Sequence, residues 1–119
     1  MRAADGRVFA GANIESTSYG LTLCAERGAI AAAVTAGSAG GDQPLLTQVV
    51  IVAEGPRPVP PCGACRQVIS ELVASGSLVW LVEDRSGDAV SRTPEGLLPD
   101  AFDDSFLAVA HAGDDTVAD

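Results

Sequence analysis

Cys24-Ala25-Glu26 and, further along, Pro61-Cys62-Gly63-Ala64-Cys65 bring together the side chains of this sequence best suited to chemistry. All 3 cysteines of the chain fall in these two stretches. Thiolates are good zinc ligands, and zinc prefers sulfur and nitrogen donors in a tetrahedron. A structural zinc usually takes four protein ligands, whereas a catalytic zinc takes three and leaves the fourth position to water. Three cysteines with a free carboxylate beside the first therefore point to a catalytic metal held by Cys24, Cys62 and Cys65, one ion per chain. Glu26 is placed to move protons as general acid and base. Zinc in such a site lowers the pKa of water to ~7.

Local geometry sets conditions on this reading. Cys62 and Cys65 stand at i and i+3, on one face of a helix. In a first turn, free amides and the positive end of the helix dipole favour thiolates. Cys24 and Glu26 are two positions apart, a rotation of about 200° on a regular helix, so mid-helix they cannot both face one metal. They can if Cys24 lies at the helix mouth, and that placement is expected. Three thiolates oppose the lowering of the water pKa. Arg27 and Arg66, each adjacent to a ligand in sequence, are candidates to hydrogen-bond the sulfurs and offset them. The rival metal reading is a structural zinc with an absent or borrowed fourth ligand, for which His111 is the only histidine. A glutamate beside a ligand has no purpose in that reading. A Cys-x-x-Cys pair alone also fits a redox motif, but the third cysteine with its glutamate does not.

The composition narrows the partners. The chain has 119 residues, 47% of them hydrophobic, enough for one small globular domain. Its 7 basic and 16 acidic residues give a formal charge of -9. That argues against nucleic acid, which usually meets a basic face, and fits a small neutral or cationic substrate. Apolar runs such as Val49 to Ala53 are too short to span a bilayer. An odd cysteine count without an apolar signal core after Met1-Arg2 argues against a disulfide framework and for a reducing cytoplasm.

The elements that would position the ligands follow from pattern. Arg7 to Gly11 reads as a short strand after the Asp5-Gly6 turn. Thr22 is a candidate cap for an Ala-rich helix that starts near Cys24 and ends at Gly37. Ser38 to Pro44 is a Gly-rich loop. Val49 to Ala53 reads as a strand buried on both faces. Gly55 to Pro61 is a stiff, proline-rich loop. A helix from Cys62 or Gly63 to about Ser75-Gly76 buries Cys65, Val68, Ile69 and Leu72. Leu78 to Val82 and Ala89 to Arg92 read as strands around an Asp84 to Gly87 turn. Pro94 to Phe102 holds a helical turn, and Gly113 to Asp119 reads as a frayed acidic tail. Strands alternating with helices predict an α/β layer fold, with ligands at the carboxyl ends of the strands.

Beyond these local signals the chain resembles the small, homotetrameric, nucleoside-acting cytidine deaminases, one branch of the zinc deaminases. The resemblance is carried by Gly11-Ala12-Asn13-Ile14-Glu15, Ser18-Tyr19-Gly20-Leu21-Thr22, Cys24-Ala25-Glu26-Arg27 and Pro61-Cys62-Gly63-Ala64-Cys65-Arg66-Gln67. It continues in Leu97-Leu98-Pro99 and Ala101-Phe102. It implies a three-layer α/β/α fold with a mixed, largely parallel sheet over residues 1–112, the tail 113–119 lying outside it. It implies zinc on Cys24, Cys62 and Cys65, proton transfer by Glu26, and sugar hydroxyls bound by Asn13 and Glu15. The backbone of Ala25 would meet the pyrimidine oxygen, and Arg27 would neutralise the thiolates. Tyr19 and Phe102 would shape pockets at subunit contacts of a homotetramer with shared active sites.

The implied reaction is hydrolytic deamination of cytidine and deoxycytidine to uridine and deoxyuridine in pyrimidine salvage, with no nucleic-acid or membrane partner. Asn13 and Glu15 flank Ile14 and so point to one side of an extended segment, which suits a paired clamp; a solvated polar loop has the same pattern. Phe102 also suits a core. The sequence departs from the family pattern at its start, where members carry a further helix and first strand. Without that strand a neighbouring strand has an unpaired edge. Two alternatives stay open: a blasticidin-S-type deaminase, against which the Asn-x-Glu clamp argues, and a zinc-bound but inactive short domain.

Overall fold

The structure, a computed structural model, describes residues 1–38 and 44–107. His111, the 113–119 segment and the interior of the Ser38 to Pro44 linker lie outside the described residues. In chain order the elements are β1 (Arg2–Ala3), a 3-10 turn (Tyr19–Leu21), α1 (Ala25–Thr35), β2 (Leu46–Ala53), α2 (Gly63–Leu72), β3 (Val79–Glu83), β4 (Ala89–Arg92) and α3 (Pro94–Leu97). The strands form one mixed sheet in the order β1-β2-β3-β4. Only β2 and β3 run parallel, joined by the α2 crossover, while β1 and β4 pair antiparallel at either side.

The period-2 pattern of the strands divides the sheet's faces. Val49, Ile51, Val79 and Leu81 point inward and meet Ile30 and Ala33 of α1 and Cys65 and Ile69 of α2. Ala29 and Ala33 are buried, and their small side chains let α1 approach the sheet closely. Each buried Leu, Ile or Val contributes about 1.5–3 kcal/mol relative to exposure. The opposite face carries Val50, Val52 and Trp80, all exposed. Val49 to Ala53 is therefore one-sided, where burial on both faces was expected.

Several boundaries differ from the sequence expectation for tertiary reasons. The Arg7 to Gly11 strand is reduced to a bridge between Val8 and Arg2, with Ala3 N–H donating to the Arg7 carbonyl at 2.8 Å. Its end leaves the sheet because Gly11 packs against α1. The first helix is not capped by Thr22, whose Oγ1 instead accepts from the Ser16 amide at 3.1 Å; Cys24 is the N-cap. Helix α2 stops at Leu72, short of Ser75-Gly76. Buried Val73 turns extended and bridges Leu46, and the Ala74 amide donates to the Leu46 carbonyl at 2.8 Å. A β-branched residue offered a sheet partner leaves the helix. The end of α1 follows local chemistry: Gly37, at φ 73°, takes the left-handed position after the helix.

Glu83, at the end of β3, ties two loops together. Its carboxylate accepts from the Ser86 amide at 2.8 Å, the Arg85 amide at 3.2 Å and the Gly55 amide at 3.4 Å. These bonds, led by Ser86, lower its pKa from 4.5 to about 2. A group whose folded pKa is depressed adds stability above its unfolded pKa, and that stability is lost as pH falls through the folded value. Glu83→Gln is therefore expected to melt several degrees lower than the parent at pH 6. The difference closes between pH 4.5 and 2, as followed by circular dichroism.

Candidate metal centre

Helices α1 and α2 both open on a cysteine. Cys24 is the N-cap of α1, with extended backbone at φ −70° and ψ 147°, and Cys62 is the N-cap of α2, at φ −67° and ψ 167°. Two helix N-termini are thus aimed at one point, where their amides and dipoles favour negative charge. Cys65 follows one turn into α2 and is fully buried in the core. Because Cys24 lies at the helix mouth, its side chain and that of Glu26 reach the same place despite their spacing.

The three sulfurs lie within 4.8 Å of one another, the only cluster of this kind among the described residues. Cys24 Sγ and Cys62 Sγ are 3.8 Å apart. Zinc–sulfur bonds of about 2.3 Å at tetrahedral angles place two sulfurs about 3.8 Å apart. A disulfide would bring them to about 2.05 Å, and all three cysteines are free thiols. The donor set fits zinc.

The electrostatics around the cluster differ from sulfur to sulfur. Burial, and then the nearby Glu26 carboxylate, push the Cys65 thiol well above its ordinary value. Its Sγ donates to Glu26 Oε2 at 3.2 Å. The Cys65 amide, the largest influence on Cys62, holds that thiol below its ordinary value. A buried thiolate beside a carboxylate needs a cation, and a divalent metal on the three sulfurs supplies one.

Arg27 donates from Nη2 to Cys24 Sγ at 3.8 Å, and its pKa is raised chiefly by that sulfur and then by Cys65. Its Nε is buried without a partner among the described residues. Arg66 turns elsewhere. Its Nε donates to the Pro61 carbonyl and its Nη1 to the Leu97 carbonyl, each at 2.8 Å. It braces the backbone just ahead of Cys62 and makes no hydrogen bond to a sulfur.

The segment carrying Asn13 and Glu15 runs beside Leu23, the residue before the Cys24 N-cap. Ile14 and Leu23 exchange both backbone hydrogen bonds, at 2.8 and 3.0 Å. Asn13 Nδ2 donates to Glu15 Oε1, so the two side chains act as a pair and both are exposed. A cavity of about 270 Å³ opens at Glu26, lined also by Phe9, Gly11, Ala25, Ala29 and the β2 segment Val50 to Val52. Gly11 has a role here that neither its place in a motif nor its place at a strand end indicated. A Cβ there would meet the Ala25 carbonyl oxygen at 2.2 Å and the Ala29 amide at 2.6 Å. The loop can press on α1 at this point only without a side chain. The sequence signal was a glycine where the strand pattern should have continued.

Tyr19 and Phe102 are not drawn into the cluster. Tyr19 is 89% exposed and Phe102 55%. The Phe102 ring stacks on Phe106 at 5.6 Å, and its carbonyl accepts from Gln67 Nε2 at 2.9 Å.

The family model described as the cytidine and deoxycytidylate deaminase zinc-binding region matches residues 1–80, which include all three cysteines and Glu26. The chain belongs to this family. A cytidine deaminase of Halalkalibacterium halodurans is 47% identical over 98 residues, covering 82% of this chain and 70% of the relative. One of Sporosarcina psychrophila is 40% identical over 108 residues, 91% of this chain and 75% of the relative. The crystal structure of a cytidine deaminase from Burkholderia pseudomallei superposes with a TM-score of 0.75 at 42% identity, covering 85% of this chain and 76% of that one. The superposition on that crystal structure matches the α/β class and mixed sheet of this chain.

Proposed function

We propose that this chain catalyses zinc-dependent hydrolytic deamination of cytidine and deoxycytidine, yielding uridine or deoxyuridine and ammonia, as a step of pyrimidine salvage. The observation that carries this reading is Glu26, whose carboxylate lies 3.2 Å from Cys65 Sγ at the edge of a cluster that has three cysteine ligands and, among the described residues, no fourth. Zinc held by Cys24, Cys62 and Cys65 supplies Lewis acidity, so that water is a nucleophile near neutral pH. Glu26 accepts a proton from the attacking water and delivers it to the ring nitrogen beside the amine-bearing carbon. A new carbon–oxygen bond forms there. Glu26 then moves the second proton onto the amine, the carbon–nitrogen bond breaks and ammonia leaves. One carboxylate relays both protons of the water.

The other site residues take roles around this relay. The Asn13–Glu15 pair binds the sugar hydroxyls, each side chain keeping a free oxygen for them. The Ala25 amide, in the first turn of α1, donates to the pyrimidine carbonyl. Arg27 balances the thiolate charge and Arg66 steadies the Cys62 backbone. Tyr19 and Phe102, exposed in the single chain, complete pockets with neighbouring subunits of a homotetramer. The domain spans residues 1–112, with 113–119 as an acidic tail. Free thiols suit the reducing cytoplasm, and no helix among the described residues is long and apolar enough to cross a membrane.

The test is cytidine turnover by the zinc-loaded chain, followed as loss of ultraviolet absorbance and release of ammonia, with blasticidin S run in parallel. Cytidine turnover with about one zinc per chain is expected. Full zinc occupancy without turnover of cytidine or deoxycytidine would refute the reading.

A further inference from the structure

The arginines divide into two groups. All 7 basic residues of the chain are arginines. Arg7 pairs with Asp5 and Arg85 with Glu54, each within 2.8 Å. Arg27 serves the Cys24 sulfur, and Arg2 donates to Gln48 at 3.0 Å. The remaining three, Arg57, Arg66 and Arg92, have no ion pair among the described residues. All three line one cavity of about 270 Å³ between the proline-rich loop and β4.

We propose that this cavity is a binding site for the phosphate group of a small phosphorylated molecule, separate from the metal centre. The chain carries 16 acidic residues and a net charge of -9, yet among the described residues no carboxylate lines this cavity. Three guanidinium groups facing one space repel each other unless an anion lies between them. Their planar forks match the oxygens of a phosphate and offer several parallel hydrogen bonds to it.

Two of the groups, those of Arg66 and Arg92, are also held in place before any ligand arrives. Arg66 is fixed through Nε and Nη1 by the Pro61 and Leu97 carbonyls, which leaves Nη2 for a ligand. Arg92 Nη1 donates to the Ser91 carbonyl at 2.8 Å. Arg57 stands between Pro56 and Pro58, on a stretch of restricted backbone freedom. Leu81, Val90 and Leu97 form an apolar wall, which limits water and strengthens charge–charge attraction. Wall and charge together suit a phosphomonoester that carries an apolar or ring-shaped body, with inorganic phosphate as its minimal fragment.

Arg57 and Arg92 are exposed, and neither belongs to the metal centre, so their variants are expected to fold and to keep cytidine turnover. The experiment titrates inorganic phosphate into the zinc-loaded chain at low ionic strength, read by calorimetry and by phosphorus NMR. Saturable binding of one phosphate per chain is expected, weakening as ionic strength is raised with sodium chloride. Arg57→Ala and Arg92→Ala should each weaken it at least tenfold, and the double variant should abolish it with circular dichroism and zinc content unchanged. The milder Arg57→Gln and Arg92→Gln variants should show the same loss if the alanine forms do not fold. Absence of saturable binding, or binding that survives in the double variant and so lies elsewhere on the protein, would overturn the proposal.

Discussion

Glu26→Gln is expected to lower kcat for cytidine by about 10²–10⁴-fold while leaving the fold and the zinc in place. Glutamine has almost the shape of glutamate, so the cavity beside Ala25 and Ala29 stays filled. It lacks the ability to accept a proton from water and pass it on. The relay is used twice in one turnover, so the loss falls on kcat and not on KM. A fall of 10²–10⁴-fold corresponds to about 2.7–5.5 kcal/mol of activation free energy. Zinc retention is expected on electrostatic grounds as well. The Glu26 carboxylate is one of the groups that push the Cys65 thiol up, and removing its charge eases the loss of that proton. Measured together, kcat and bound zinc separate the two effects. Turnover within threefold of the parent would remove Glu26 from the proton path, and loss of zinc would make it a structural residue.

The metal-binding cluster of Cys24, Cys62 and Cys65 was legible in the sequence because it rests on residue type and short spacing. Three thiols in this spacing suffice to predict a metal site. The rotation between Cys24 and Glu26 requires a helix mouth, and Cys24 is the N-cap of α1. The Ala89–Arg92 strand and the Pro94–Leu97 turn were legible for the same reason, since Thr93 Oγ1 accepts from the Gly96 amide at 3.0 Å and Pro94 begins the helix. What could not be read depends on partners distant in sequence. Val73 leaves its helix for Leu46, and Arg66 turns from the sulfurs to the Leu97 carbonyl. The register of β1 against Leu46 and Gln48 is another case, because no local pattern encodes which strand lies next to which. Tyr19 and Phe102 were singled out only by resemblance, and within one chain their rings stay exposed.

Cys65→Ala should have the largest effect on metal affinity, because Cys65 joins the centre to the core. Its side chain has 0% exposure and packs in the same cluster as Ile69, Val49 and Leu81. Structural zinc contributes about 10–16 kcal/mol in small metal-dependent domains. Removing one of three ligands should forfeit roughly a third of such a figure, which weakens zinc by about two to four decades. The lost sulfur also leaves a small void, adding about 1 kcal/mol of destabilisation without metal. A bound ion stabilises the folded chain through its differential affinity, so a chelator should lower the parent's melting temperature and barely move that of Cys65→Ala. Acid should act in the same direction. Zinc must displace the proton of a thiol whose pKa is raised by burial and then by Glu26, so each displaced proton makes affinity fall about tenfold per pH unit below that pKa. Chelator competition at two pH values measures both effects. Affinity independent of pH, or a Cys65→Ala variant that binds zinc as tightly as its parent, would mean that the metal does not sit on this cysteine.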